Sequence, residues 1–356
     1  MTESPDPSPR IAVLIPCFNE AATIAGVVRE FRAALPGAVI HVYDNNSTDG
    51  TRAIAAAAGA VVRGETLQGK GHVVRRMFAD VEADAYVLVD GDGTYEAAAA
   101  PAMVRRLLEE QLDMVNGLRV EEAGRGMAAY RRGHRAGNRV LSGLMRMVFG
   151  DRVQDMLSGY RVFSRRFVKT FPALASGFET ETEFTIHALD MLMPVAEMPT
   201  RYRERPPGSV SKLRTYSDGW RILNTIIKLV KEERPLQFFS LAGLVLLVLA
   251  LLIALPVLVT FFQTGLVPRL PTAVLATGLV MVAMLSFTCG LILDSVARGR
   301  RETKRLAYLA VPRWQAPPGF PDSGKGIADG GMGNQPVLAS LPDSDLGAGE
   351  AAAQLE

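Results

Sequence analysis

Two acidic residues, Asp90 and Asp92, end the apolar run Val87-Leu88-Val89 and alternate with Gly91 and Gly93. At the end of a buried strand, an i, i+2 pair delivers two carboxylates to the carboxyl edge of a sheet. That edge is where open α/β sheets bind ligands. Hard oxygen ligands of this kind suit Mg²⁺ or Mn²⁺, ions commonly held by one or two carboxylates together with substrate phosphates. The glycines let the backbone approach a ligand closely. Alone, Asp-Gly-Asp fits an ordinary turn equally well; its meaning depends on three other loops.

In the first, Pro16-Cys17-Phe18-Asn19-Glu20, a strand stops at proline and Asn19 reads as a helix N-cap. The second, Asp44-Asn45-Asn46-Ser47-Thr48-Asp49-Gly50-Thr51, is dense in turn and cap residues, with Ser47 also read as a cap. The third, Gln68-Gly69-Lys70-Gly71, is a small basic loop at a helix start, well suited to phosphate. All four loops fall, in order, at the carboxyl ends of consecutive strands.

The elements that must position them follow from periodicity. Residues 11–16, 39–43, 60–63, 85–89 and 114–118 read as short apolar strands. Helical patterns over 21–35, 51–58, 72–81 and 99–110 separate them. This alternation predicts an α/β fold with a mostly parallel sheet, covered by helices on both faces.

The second half of the domain is basic. Arg119 ends the fifth strand, and Arg131, Arg135 and Arg139 would share one helical face. Arginine forks suit phosphate, and Arg119 and Arg131 are the candidate phosphate ligands; a solvated basic face is the plainer alternative. Beyond residue 214 the character changes. Residues 215–235 form an amphipathic, interface-type helix. Residues 236–263 and 270–293 carry no charge, and each is long enough to cross a bilayer. Lys228, Lys231 and Arg234 precede the pair; Arg298, Arg300, Arg301, Lys304 and Arg305 follow it. By the positive-inside rule both flanks are cytoplasmic, with 294–315 a basic cytoplasmic segment. Residues 1–10, polar and without an apolar h-region, read as a disordered N-terminus lacking a signal peptide, which keeps the first domain in the cytoplasm. Residues 316–356 read as a disordered tail.

Across 356 residues the net charge is only +2, which gives no argument for nucleic acid. Cys17 and Cys289 lie too far apart in sequence to suggest a disulfide framework, and the four histidines are scattered, against a zinc site. No G-x-G-x-x-G follows the first strand, which counts against a dinucleotide oxidoreductase.

The motifs P-C-F-N-E, D-N-N-S-T-D-G-T, G-K-G and D-G-D together resemble those of family-2 glycosyltransferases of GT-A fold. Within that family they look most like the polyprenyl-phosphate glycosyltransferases, which include dolichol-phosphate mannose synthase. The resemblance runs over residues 11–220 and puts the GT-A domain at 11–214. It implies a nucleotide-diphosphate sugar donor, with uridine favoured over guanosine, and Mg²⁺ or Mn²⁺. Pro16, Asn19, Glu20 and Asp44 would hold ribose and base, with Lys70 near the nucleotide or sugar. Asp90 and Asp92 would hold the metal. Asp155-Met156-Leu157-Ser158-Gly159-Tyr160-Arg161 is similar to the family's D-x-x-S-G-F-R segment, implying Asp155 and Ser158 in the catalytic pocket, Ser158 on the acceptor phosphate. Glu181 falls in a segment resembling the family's E-T-E. Arg201, Arg203 and Arg205 lead into a basic loop in which Ser211 and Lys212 would close over the diphosphate.

The implied reaction is inverting transfer of one sugar to a polyprenyl phosphate at the cytoplasmic face of a bacterial-type inner membrane. A homo-oligomer is compatible with the sequence. Two features depart from relatives: no Q-x-x-R-W motif is present, against a processive synthase, and Thr94 stands where dolichol-phosphate mannose synthases often have glutamine. The alternatives are a non-catalytic nucleotide-sugar-binding or anchoring protein, a sugar-phosphate nucleotidyltransferase and a glycosyltransferase with another acceptor.

Overall fold

The chain is described from a computed structural model, which covers residues 8–121, 155–177, 179–203, 205, 224, 227–228, 230–232 and 234–315. The expected elements form close to their predicted bounds. They are β1 (Ile11–Cys17), α1 (Ile24–Ala34), β2 (Val39–Asp44), α2 (Thr51–Ala57), β3 (Val61–Gly64), α3 (Lys70–Asp80), β4 (Ala85–Leu88), α4 (Ala100–Glu109) and β5 (Met114–Glu121). Four further elements follow: β6 (Arg161–Ser164), α5 (Arg165–Thr170), α6 (Thr180–Asp190) and β7 (Val195–Tyr202).

The seven strands form one sheet in the order β3-β2-β1-β4-β6-β5-β7. β1 pairs in parallel with both β2 and β4, whereas β6 runs antiparallel to β4 and β5. Strand order therefore reverses between β1 and β4, and ligands of open α/β sheets bind at such a switch point. The loops after β1 and β4 are P-C-F-N-E and D-G-D.

Continuous apolar strands have a direct cause here: alternate residues enter two separate cores. Val13, Ile15, Val87 and Val162 pack with Val28 and Phe31 of α1 and Met103 and Leu107 of α4. Leu14, Tyr86, Leu88 and Phe163 pack on the other face with α3, α5 and α6. There Phe78, Phe163, Phe167, Phe171 and Phe184 form one aromatic cluster. Burying each such ring contributes about 1.5–3 kcal/mol.

Two long helices complete the described chain, α7 (Pro235–Thr264) and α8 (Leu270–Ala310). Both are long and apolar enough to cross a membrane, and only 11% and 17% of their most apolar windows is buried. The core helices of a soluble domain are mostly buried, whereas these leave most of that apolar surface exposed. Apart from Pro235 at the start of α7, their buried positions recur at every seventh residue: Gly243, Ala250 and Val257 on α7; Ala276, Ala283, Gly290 and Ala297 on α8. Small residues at most of these positions let the two helix backbones approach closely. A Cβ on Gly243 would lie 3.0 Å from the Ala283 carbonyl, and one on Gly290 3.1 Å from Phe239 Cβ.

α8 does not stop where its apolar stretch ends. Its 41 residues run without interruption into the basic segment, an axial length of about 62 Å at 1.5 Å per residue, roughly twice a hydrocarbon core. The far end docks on the sheet domain. The Tyr308 hydroxyl donates to buried Asp113 Oδ2 at 2.7 Å, Lys304 pairs with Asp190 at 3.8 Å, and the Arg166 guanidinium stacks 5.1 Å over the Tyr308 ring. Of the interface helix expected over 215–235, residues 224, 227–228, 230–232 and 234–235 are described; those up to 232 are helical, Arg234 is a bend, and Pro235 already opens α7. Arg131, Ser211, Lys212 and the tail from 316 lie outside the described residues.

Candidate active site

The loops after β1 and β2 are stitched together. Asn19 adopts φ 52°, and from there its amide donates to Ser47 Oγ while its Oδ1 accepts from the Thr48 amide, both at 2.8 Å. The cap expectation for these two residues is thus overturned. α1 starts at Ile24 after Thr23, and α2 at Thr51 after Gly50. Asn19 and Ser47 instead lock one loop to the other, because both loops must leave the same sheet edge side by side. Thr23 uses its hydroxyl to hold the Gly91 carbonyl at 2.7 Å, joining the D-G-D loop. Pro16 lies within β1, in register with Tyr43, and Glu20 is buried with its amide on Thr51 Oγ1 at 2.8 Å. Asp44 is buried at the end of β2; one carboxylate oxygen accepts from the Ser47 amide, and the other has no hydrogen-bond partner among the described residues.

Lys70 opens α3 and extends into a nearly dry position, where its ammonium donates to both Asp90 and Glu181. Burial alone would lower its pKa, but the two carboxylates more than offset this and raise it. Glu181 is pushed up by burial and by the charge of Asp90, against the pull of Lys70. One cation thus serves two carboxylates, and Glu181 Oε2 remains buried without a hydrogen-bond partner among the described residues. The pairing depends on the glycines beside Lys70. A Cβ on Gly69 or Gly71 would sit 2.1 Å from the carbonyl of Ser176 or Ala175, and the Gly71 amide donates to Ser176. The G-K-G loop does open a helix, as expected of a loop suited to phosphate, and its glycines have a further use: they admit the 175–176 backbone, which carries the chain to α6 and Glu181.

Asp92 Oδ1 accepts from the amide (3.1 Å) and hydroxyl (2.6 Å) of Thr94, and its Oδ2 pairs with Arg205 at 2.7 Å. Asp90 is more open, its side chain 30% exposed. A Cβ on Gly159 would lie 2.3 Å from Asp90 Oδ2, so it is the missing side chain at that glycine that admits Asp90.

The acceptor-side expectations change. Arg119 grips Asp155 with both arms of its fork, at 2.7 and 2.8 Å, so neither presents an open charge. Ser158 is fully buried, and its hydroxyl accepts from the Tyr160 amide at 3.3 Å instead of facing an acceptor. Asn116 links the Asp155 carbonyl to Glu197. Behind them Arg161, read only as the last letter of a motif, is completely buried and holds the carbonyls of Met156 and Ser158 and the hydroxyl of Thr185. Burial lowers its pKa to about 10. Arg161 is the frame of this loop, a role its motif position alone does not show.

The profile described as Glycosyl transferase family 2 matches residues 12–171. Over 160 residues the chain is 55% identical to an uncharacterised protein of Shigella flexneri, covering 45% of this chain and 98% of that one. Over 234 residues it is 36% identical to glycosyltransferase AglJ of Haloferax volcanii, covering 65% and 76%. The fold is similar to that of glucosyl-3-phosphoglycerate synthase from Mycobacterium tuberculosis, solved in complex with Mn²⁺ and UDP-glucose. That likeness has a TM-score of 0.52 at 25% identity, covering 62% of this chain and 79% of that one.

Proposed function

The chain belongs to glycosyltransferase family 2, and from that premise we propose that it transfers one sugar, with inversion, from a nucleotide-diphosphate sugar to a polyprenyl phosphate in a membrane. The observation that carries the lipid acceptor is the continuity of α8. One uninterrupted helix runs from an apolar span into the sheet domain that holds the candidate site, so the site is tethered to any bilayer the span enters. Two spans with basic flanks favour a multi-pass protein with the sheet domain on the cytoplasmic face.

The donor would lie across the switch point. Pro16, Asn19 and Glu20 line the first loop, and the unpaired oxygen of Asp44 offers an acceptor to a ribose hydroxyl or a base N–H. Two carboxylates of hard oxygen donors at the end of β4 fit a divalent cation whose remaining ligands come from a diphosphate. Asp90 and Asp92 would hold Mg²⁺ or Mn²⁺, which when bound would neutralise charge on the departing diphosphate. Lys70 holds Asp90 in place and adds a fixed positive charge beside it. In the transfer, an acceptor phosphate oxygen forms a bond to the anomeric carbon as the bond to the nucleotide diphosphate breaks. A phosphate monoester has its second pKa near 6, so the nucleophile is already ionised and no side chain need remove a proton. What the protein supplies is positioning and charge stabilisation.

The test is transfer of radiolabel from UDP- and GDP-sugars into the lipid phase of membranes supplemented with polyprenyl phosphate. Transfer should require a divalent ion and fall by about 10²-fold or more in Asp92→Ala. Label appearing only on water-soluble phosphate acceptors would sink the lipid reading and favour a soluble acceptor.

A further inference from the structure

Both carboxylate oxygens of Asp92 are occupied by the chain itself. Thr94 takes Oδ1, and Arg205 Nη2 lies 2.7 Å from Oδ2. The Asp92 side chain is 5% exposed and that of Arg205 28%, so the pair sits in the wall of the site and not out in solvent. The chain shortly before Arg205 is pinned to the loop of Asp92: the Arg203 amide donates to the Thr94 carbonyl at 2.8 Å, and Tyr202 bridges to Tyr95 with ring centroids 5.3 Å apart. The end of β7 is thus built to deliver an arginine to Asp92.

We propose that Arg205 is the resident counter-cation of Asp92, holding that carboxylate against free divalent ions and releasing it when the ion arrives with a diphosphate. The proposal rests on the metal reading above. Arginine stays charged throughout the accessible pH range, so only another cation can take its place. A hydrated divalent ion alone must shed water and displace a guanidinium that already neutralises Asp92. A diphosphate changes this balance, because its oxygens can ligate the ion and accept the released guanidinium in a bidentate contact. Ion and diphosphate should therefore bind with positive coupling, and Arg205 should be one source of it.

The experiment uses the full chain in detergent, with unbound Mn²⁺ read by electron paramagnetic resonance in the presence and absence of UDP. Wild type should bind Mn²⁺ weakly alone and more tightly with UDP. Arg205→Gln should bind Mn²⁺ alone about tenfold more tightly, a difference of roughly 1.4 kcal/mol, with a smaller gain from UDP. Arg205→Lys, which keeps the charge but loses the fork, should fall between. Asp92→Asn should remove this binding in either background. If Arg205→Gln binds no more tightly than wild type while Asp92→Asn still abolishes binding, the counter-cation role is overturned and the metal reading survives. If no variant shows Asp92-dependent binding even with UDP, the metal reading fails and takes this proposal with it.

Discussion

Lys70 carries its charge between two carboxylates where little water reaches, and the three groups stand or fall together. Removing the ammonium leaves Glu181 buried without a counter-charge. Lys70→Met should therefore destabilise the protein by about 3–5 kcal/mol, the range for breaking a buried ion pair from one side. Lys70→Met/Glu181→Gln should regain much of that stability without regaining sugar transfer. Thermal unfolding of the single and double variants checks this, and equal instability in both would show that Glu181 is not the group whose lost counter-charge destabilises the fold. The individual residues at the four strand ends were legible in the sequence because turn, cap and acidic types concentrate there. Their partners were not. Asn19 looked like a cap, yet it serves a neighbouring loop, since side chains at a sheet edge meet across strands more readily than along the chain.

At the scale of elements, α6 connects the site to the docked end of α8. Glu181 lies in its first turn; His187 and Asp190 lie near its end, the latter paired with Lys304. His187 is buried against Phe167 and Phe171, and burial, helped by the charge of Lys304, lowers its pKa to about 3. The folded protein therefore keeps His187 neutral, whereas the unfolded chain takes up a proton below about 6.5. Stability is full above that value and is lost as pH falls from about 6.5 towards 3, at up to about 1.4 kcal/mol per pH unit. His187→Leu should flatten this part of the profile, seen as a smaller drop in melting temperature between pH 7 and pH 4.5. An unchanged drop would place the acid sensitivity elsewhere. The sequence reading missed β6, α5, α6 and β7: β6 has only four residues and α5 six, and α6 is buried around most of its circumference, which erases the amphipathic period. The seven-residue recurrence of small residues in α7 and α8, by contrast, was present in the sequence all along.

For the whole molecule, α8 sets the rotation and distance of the sheet domain relative to the helical pair. Two alanines inserted between Ser295 and Val296 would turn the Lys304 and Tyr308 face by roughly 200° and lengthen the helix by about 3 Å. Transfer to a lipid acceptor should then drop about tenfold or more, since a small misplacement of reactants can cost 10²-fold, while binding of UDP is retained. Undiminished lipid transfer would show that the tether is slack.

By itself the sequence determined the first four parallel strands with their chemical loops, the two apolar helices and the basic flanks. These features are local: burial on both faces makes a strand apolar throughout, and a span must carry some 20 residues without charge. Only the tertiary structure decided which charges meet. Lys70 reaches Glu181 across 111 positions, Arg205 returns from the end of β7 to Asp92, and Arg119 closes on Asp155. Such pairs depend on the antiparallel insertion of β6, on the register of β7 against β5 and on glycines that admit a distant backbone. No periodicity along the chain encodes those relations, because they arise from how the sheet is assembled.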